Sequence, residues 1–176
     1  MITVSAIAYV HNSRVEARDD DWECVTSRIE LTPDTPADAL DGIEEFSHVE
    51  VVFFFDRVLD DQIERGARHP RENPAWPKVG IFAQRARSRP NRIGVSIARL
   101  LRRERHALVV QGLDAIDGTP VLDLKPVMKE YLPTGDIEQP AWSHQLMTSY
   151  WRKALNHPTE PTPASVAQAS EPPHLT

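Results

Sequence analysis

Val49-Glu50-Val51-Val52-Phe53-Phe54-Phe55 is apolar at every position but Glu50. Its β-branched and aromatic side chains suit a pleated, packed surface, so the run reads as a buried strand. On its N-terminal side, Ile2 to Val10 alternates loosely and Trp22 to Leu31 alternates again, which predicts two more strands. His11 to Asp21 between them is polar, ends in three aspartates and reads as a loop. Thr35-Pro36 reads as an N-cap followed by proline at the first helical position, opening a helix that Gly42 cuts short. On the C-terminal side, Asp60 to Lys78 is turn-rich and charged, and long irregular segments of this kind are often functional. Val79 to Ala83 predicts a short strand and Arg85 to Arg92 a loop. Ile93 to Arg103 fits both helical and strand spacing, and periodicity does not decide between them. His106 to Val110 predicts a strand. Asp117-Gly118 is a tight-turn signal, after which Pro120 to Leu124 resumes extended structure. Trp142 to Leu155 places Leu146, Met147, Tyr150, Trp151 and Ala154 on one helical face, with Ser143 as its cap.

Short strands with helices mainly at the ends predict a mainly β fold, a β-barrel with a few peripheral short helices, α+β overall. The chain has 176 residues, 40% hydrophobic and 26% charged, enough for one packed core. The predicted units are residues 1–156, a barrel with a C-terminal helix, and 157–176, a proline-rich mobile tail. No apolar run reaches the roughly 18 residues of a membrane-spanning helix. The N-terminus carries no secretory pattern and there is one cysteine, Cys24, so a cytoplasmic location without disulfides is expected. No glycine-rich dinucleotide or phosphate loop and no nucleophile elbow occurs, which argues against a doubly wound nucleotide enzyme. The seven histidines show no metal-ligand spacing, so no metal is expected. His48 reads as a buried, hydrogen-bonded histidine, and Trp76, Trp142 and Trp151 as packing residues, with a base-stacking platform the alternative for Trp76.

The net charge is −6. Between Arg85 and Arg105 lie eight arginines and one acid, Glu104, so this window carries 8 − 1 = +7 and the rest of the chain −13. One concentrated basic segment on an acidic protein points to a local anion site, or to a solvated basic face.

Three segments then stand out together: Phe46-Ser47-His48 leading into the apolar run; Gly80-Ile81-Phe82-Ala83-Gln84-Arg85 followed by Arg89-Pro90-Asn91-Arg92-Ile93-Gly94-Val95-Ser96; and Gly112-Leu113-Asp114 through Asp117-Gly118-Thr119-Pro120 to Leu122-Asp123-Leu124-Lys125-Pro126. In combination and order they resemble the TsaA-like family. That resemblance implies a small β-barrel, rather than a doubly wound sheet, and S-adenosylmethionine-dependent methylation at N6 of threonylcarbamoyladenosine beside the tRNA anticodon. It implies cofactor contacts at Asp56, Arg57, Arg85, Val95, Gln111, Gly112, Leu113 and Asp114, and a homodimer. Members with a Pro-Arg-Gln stretch near the N-terminus have there what this chain writes as Arg14-Val15-Glu16-Ala17-Arg18-Asp19-Asp20-Asp21, so no contact is carried over to that segment. A methyltransferase for another acceptor and a non-catalytic S-adenosylmethionine-binding module remain alternatives.

The residues suit that chemistry. Arginine suits the cofactor's carboxylate and aspartate its ammonium or ribose hydroxyls; Arg85 and Asp114 offer both. Methyl transfer from a sulfonium depends mainly on alignment, so no catalytic triad is expected. Asp123 and Lys125 fall on one face of a strand, either as an ion pair or as groups beside the methyl acceptor, and Asp117 is a further candidate base that also shapes its turn. Arg87, Arg89 and Arg92 beside the cofactor segment are the expected contacts to tRNA phosphates. Gly94 and Gly112 read as places where a ligand approaches the backbone, or as bends.

Overall fold

The structure is a computed structural model that describes residues 2–152. The proline-rich stretch 157–176, with Ala154 and Leu155 of the predicted helix, lies outside the described residues.

Six strands close into a barrel: β1 Ala8–His11, β2 Thr26–Leu31, β3 His48–Phe54, β6 Ile93–Glu104, β7 Ala107–Gln111 and β8 Pro120–Pro126. Their order around it is β1-β2-β7-β6-β3-β8, with β8 returning to β1 and every pairing antiparallel. A small hairpin-like pair, β4 Ala67–Arg68 and β5 Val79–Gly80, sits in the long connection between β3 and β6. The barrel prediction therefore holds, and the doubly wound alternative is excluded by the topology.

Inward volume alternates between facing strands. Phe53 pairs with Gly94, Val51 with Ser96 and Val49 with Ala98, large on β3 against small on β6, so the side chains interdigitate inside a narrow barrel. Ala8, Val10, Ile29, Leu108, Val110 and Val121 complete a core that is wholly buried. Only alternate residues of β3 are fully buried, Val49, Val51 and Phe53; Glu50, Val52 and Phe54 lie on the outer wall. The apolar run is thus one-sided rather than covered on both faces. Register shifts between Val52 and Phe53 against β8, and between Leu100 and Arg102 against β7, mark the bulges that bend the wall.

Several predicted boundaries move. The first strand begins at Ala8 rather than Ile2, because Ile7 is the first residue whose amide finds a barrel partner, Val121 O at 2.8 Å. The second begins at Thr26, where pairing with Gln111 starts. Thr35 does not cap the short 3-10 turn Ala37–Leu40; its hydroxyl bonds Ile7 O at 3.1 Å and Pro36 takes the N-cap position. Val79 to Ala83 is strand only over β5, then a 3-10 turn. Ile93 to Arg103 resolves as strand. Its outward Ile93, Ile97 and Leu101 repeat every four residues, which imitates a helix. The C-terminal helix, α1, is shorter than predicted, Ala141–Met147, with Pro140 rather than Ser143 as N-cap.

The strand directions gather three connections at one barrel end: 12–25 after β1, 55–92 after β3 and 112–119 after β7. They form a rim on which α1 and the turn after it dock. Trp76 Nε1 donates to Gln145 Oε1 at 2.8 Å, Asp21 N to Ser149 O at 3.1 Å and Trp22 N to Tyr150 O at 3.0 Å.

Candidate cofactor site at the barrel rim

β7 pairs with β6 only from Arg99 onward, so Ile93 to Ala98 have β3 on one side and no strand on the other. The wall is split there, between the first half of β6 and the chain running on from Gln111. Arg85 lies along this split: its guanidinium donates to Val95 O. Gln111 ends β7, and Gly112 turns the chain with φ +79, a left-handed conformation that favours glycine. Its amide donates to Val25 O at 3.0 Å. Leu113 buries its side chain completely in the core, so only its backbone is available to a ligand. Asp114 follows. Its Oδ2 accepts the Tyr150 hydroxyl at 2.5 Å, while its Oδ1 is buried with no hydrogen-bond partner.

Arg85, Val95, Gln111, Gly112 and Asp114 are therefore brought to one split in the wall. Tyr150 stands among them. Burial raises its hydroxyl pKa well above the ordinary phenol value, the carboxylates of Asp114 and Asp19 push the same way, and Arg85 opposes them. The folded value lies above the unfolded one. The stabilisation is therefore in place below about pH 10, the ordinary phenol range, and is lost as pH rises beyond it. In an alkaline titration followed at 295 nm, one phenol is expected to stay protonated past the ordinary range until the chain unfolds, and Tyr150→Phe to remove that delayed step. A titration unchanged by the substitution would place Tyr150 in solvent.

The other predicted residues lie nearby but are differently engaged. Asp56 is exposed at the end of β3. Arg57 is exposed and reaches across the rim, donating to Val15 O at 2.8 Å and Asp117 O at 3.0 Å, so it ties two connections together. Asp117 does not bond the amides of its own turn. Its Oδ1 accepts the amide of Asn12 at 3.1 Å, and Asn12 Nδ2 in turn donates to Ser27 Oγ and Ala115 O. Gly94 offers no approach to a ligand: the space a side chain would fill there is occupied by the Phe53 ring.

Asp123 and Lys125 pair with each other on the outer wall of β8, and the Asp123 hydrogen bond holds the Lys125 pKa above its ordinary value. Asp123 also caps the amide of Leu124 at 2.9 Å. Asp123 opposes Val52, and Val52 opposes Val95, so Asp123 and Val95 share one row two strands apart, about 10 Å.

The basic window divides. Arg87 is exposed and Arg89 half-buried near Gln84 O, both at the rim. Arg92 is half-buried and already engaged: it donates to Val58 O at 2.7 Å, pairs with Asp60 at 3.3 Å and stacks on Phe54 at 4.9 Å. Arg102 and Arg103 sit at the far end of the 12-residue β6, paired with Glu104 and with Asp41 and Glu44. A depression of about 510 Å³ lies at that far end, lined by Leu100, Leu101, Arg105 and these two arginines, whose charges are met by Glu104, Asp41 and Glu44. The +7 window is not one patch.

Tyr150, Asn12 and Arg71, which binds Asp20 at 2.9 Å, escaped the sequence reading. Each acts on a group more than ten residues away, and no local pattern marks such a pairing.

The comparisons with known proteins agree with this architecture. A family model described as the tRNA-methyltransferase O N-terminal domain matches residues 12–132. The chain is 36% identical over 107 residues to the tRNA (adenine(37)-N6)-methyltransferase of Escherichia coli, covering 58% of this chain and 43% of that one. It is 41% identical over 102 residues to an Archaeoglobus fulgidus protein named "Probable S-adenosyl-L-methionine-binding protein", covering 57% and 26%. A crystal structure of TrmO from Pseudomonas aeruginosa superposes with a TM-score of 0.63 at 30% identity, covering 78% of this chain and 61% of that one. The chain spans less than half the length of these two curated relatives.

Proposed function

Because the chain belongs to the tRNA-methyltransferase O N-terminal domain family, we propose that it is an S-adenosylmethionine-dependent methyltransferase acting on N6 of an adenosine in tRNA. The finer acceptor is threonylcarbamoyladenosine beside the anticodon. The observation that carries the reading is the split between β6 and β7, with a cation, Arg85, on one side and a carboxylate with an orphaned buried oxygen, Asp114, on the other. That pair fits a zwitterionic nucleoside. An unpartnered buried acceptor is costly unless a donor meets it, and the ligand's ammonium or ribose hydroxyl supplies one.

Arg85 would hold the ligand's carboxylate and Asp114 its donor. The backbone of Gln111, Gly112 and Leu113, with Val95 and the chain at Asp56 and Arg57, would line the remainder. When bound, S-adenosylmethionine supplies an electrophilic methyl group on a sulfonium. The protein's work is then alignment, which accounts for up to about 7–11 kcal/mol of a barrier when reactants are held in attack geometry. Asp123 stands on the outer wall in the row that contains Val95, and Lys125 in the next outward row, that of Glu50 and Ile97, where they would orient the acceptor or take its proton. Residues at the rim supply no metal-ligating cluster among the described residues.

The deciding experiment is mass spectrometry of tRNA nucleosides from cells with and without the gene, together with transfer of labelled methyl from S-adenosylmethionine to tRNA in vitro. Loss of the methylated threonylcarbamoyladenosine in the deletion supports the full reading. Labelled methyl appearing elsewhere in RNA, or in none, overturns the acceptor.

For RNA contact, Arg87 and Arg89 are the proposed phosphate ligands and Arg92 a brace. Replacing Arg87 and Arg89 together by alanine should flatten the slope of log affinity against log salt by about 1.5, at roughly 0.7–0.9 per contact. Arg92→Ala should instead lower the melting temperature and leave the slope alone. An equal slope change for Arg92→Ala would return it to the RNA surface. Self-association as a homodimer belongs to the same proposal, supported by exposed Ile93 and Ile97 on the outer wall; light scattering giving only monomer mass at micromolar concentration would remove it.

A further inference from the structure

We propose that Tyr150 is a positioning residue of the cofactor site: its hydroxyl fixes the Asp114 carboxylate through one oxygen and leaves the other to accept a donor from the ligand. This rests on the reading of the split as an S-adenosylmethionine site, and extends that site to a segment beyond residues 12–132 that the family model matches.

The geometry is specific. Tyr150 Oη reaches Asp114 Oδ2 at 2.5 Å, a charge-assisted bond at the short end of its range. Asp114 Oδ1 is buried and has no partner. A carboxylate has lone pairs for about four hydrogen bonds, so the arrangement is incomplete in a defined place. Tyr150 is itself anchored. Its carbonyl accepts Trp22 N at 3.0 Å, the neighbouring Ser149 O accepts Asp21 N at 3.1 Å, and its ring packs edge-on against Trp151 at 5.0 Å. The turn after α1 is thus stitched to residues 21–22, and from it the Tyr150 hydroxyl reaches Asp114 at the split. The charged groups that face Tyr150 come from every connection at this rim: Asp19 from 12–25, Arg85 from 55–92 and Asp114 from 112–119. Of the other two, Asp19 is a carboxylate, and Arg85 donates to Val95 O and keeps its remaining N–H groups for the ligand's carboxylate.

The test is calorimetry of the full chain with two ligands, S-adenosylhomocysteine and 5′-methylthioadenosine, which lacks the amino-acid portion. Tyr150→Phe keeps the ring and removes the hydroxyl, and should weaken S-adenosylhomocysteine about tenfold. Weakening confined to S-adenosylhomocysteine identifies the donor as the ammonium; equal weakening of both identifies a ribose hydroxyl. Because Tyr150 acts through Asp114, Asp114→Asn/Tyr150→Phe should bind no more weakly than Asp114→Asn alone. Additive losses would mean that Tyr150 merely packs the rim, and overturn the proposal. If Tyr150→Phe fails to fold, hydrogen exchange on the wild-type chain decides: S-adenosylhomocysteine should slow exchange of the Trp22 amide that Tyr150 O holds, and an unchanged rate overturns the proposal. Binding by the wild type with unaltered affinity in Tyr150→Phe removes Tyr150 alone. A wild type that binds neither ligand removes the cofactor reading itself, and the proposal with it.

Discussion

Gly94→Ala is expected to cost the barrel about 3 kcal/mol, the upper end of the usual range for an overpacked core, and to lower the melting temperature by about 6–12 °C in a chain of this size. The reason is space, not backbone freedom. A β-carbon at Gly94 would lie 2.4 Å and 2.5 Å from Phe53 Cε2 and Cζ, well inside contact distance. The Phe53 ring is 1% exposed and packed edge-on against Phe55 at 5.2 Å, so it has no free volume to swing into. The aromatic ring over a cross-strand glycine is a device by which a tightly curved sheet fills the gap a missing side chain leaves. Shortening the ring should relieve the clash: Phe53→Leu/Gly94→Ala is expected to lose less than the sum of the two single changes. A Gly94→Ala protein melting within about 2 °C of the wild type, or strict additivity in the double variant, would mean that the ring does not lie over Gly94.

Arg85→Ala should weaken S-adenosylmethionine by about ten- to a hundredfold while leaving the melting temperature nearly unchanged. Arg85 is exposed and bonds one main-chain carbonyl, so its loss removes little from the fold. For a ligand it is the cation at the split, and a hydrogen bond to a charged group is worth about 1.5–3 kcal/mol. Arg85→Lys keeps the charge but not the planar fork that can grip Val95 O and a carboxylate together, so it should recover only part of the affinity. Unchanged affinity in Arg85→Ala by calorimetry would move the ligand's carboxylate elsewhere on the rim. A collapse of the melting temperature would show instead that the Val95 contact holds the wall shut.

Much of the barrel was legible because strand burial writes itself as local composition. Val49 to Phe55 and Pro120 to Leu124 could be assigned from their own residues. Ile93 to Glu104 could not, because its outward wall is apolar as well, and spacing of four arises in a strand whenever alternate outward positions are filled. Composition overextends the first strand for another reason: Ile2 to Ala6 has strand composition but no strand partner among the described residues, and pairing, not propensity, ends a strand. At the site, the Arg85, Val95 and Gly112-Leu113-Asp114 segments were recognisable as motifs, whereas the work done by their side chains was not. Arg57 and Arg92 spend their guanidiniums on main-chain carbonyls, acceptors that no sequence distinguishes. Tyr150 read as one position on a helical face, yet the helix stops at Met147 and the residue serves a carboxylate 36 positions away.

The closure of the barrel sets a timetable for the chain on the ribosome. β1 finds its second neighbour only in β8, Ala8 opposite Val121, a separation of 121 − 8 = 113 residues. β3 likewise keeps one bare edge until β8 arrives. At elongation rates of about 5–20 residues per second, the nascent chain carries an unclosed sheet for on the order of 6 to 23 s. In the part of that interval after β3 has emerged, the edge on offer to neighbours is Val49 to Phe53, the segment most disposed to pair with a stranger. Early translation arrest before Pro120 would therefore leave a sticky fragment, and the demand on holding chaperones should fall abruptly once residue 126 has emerged.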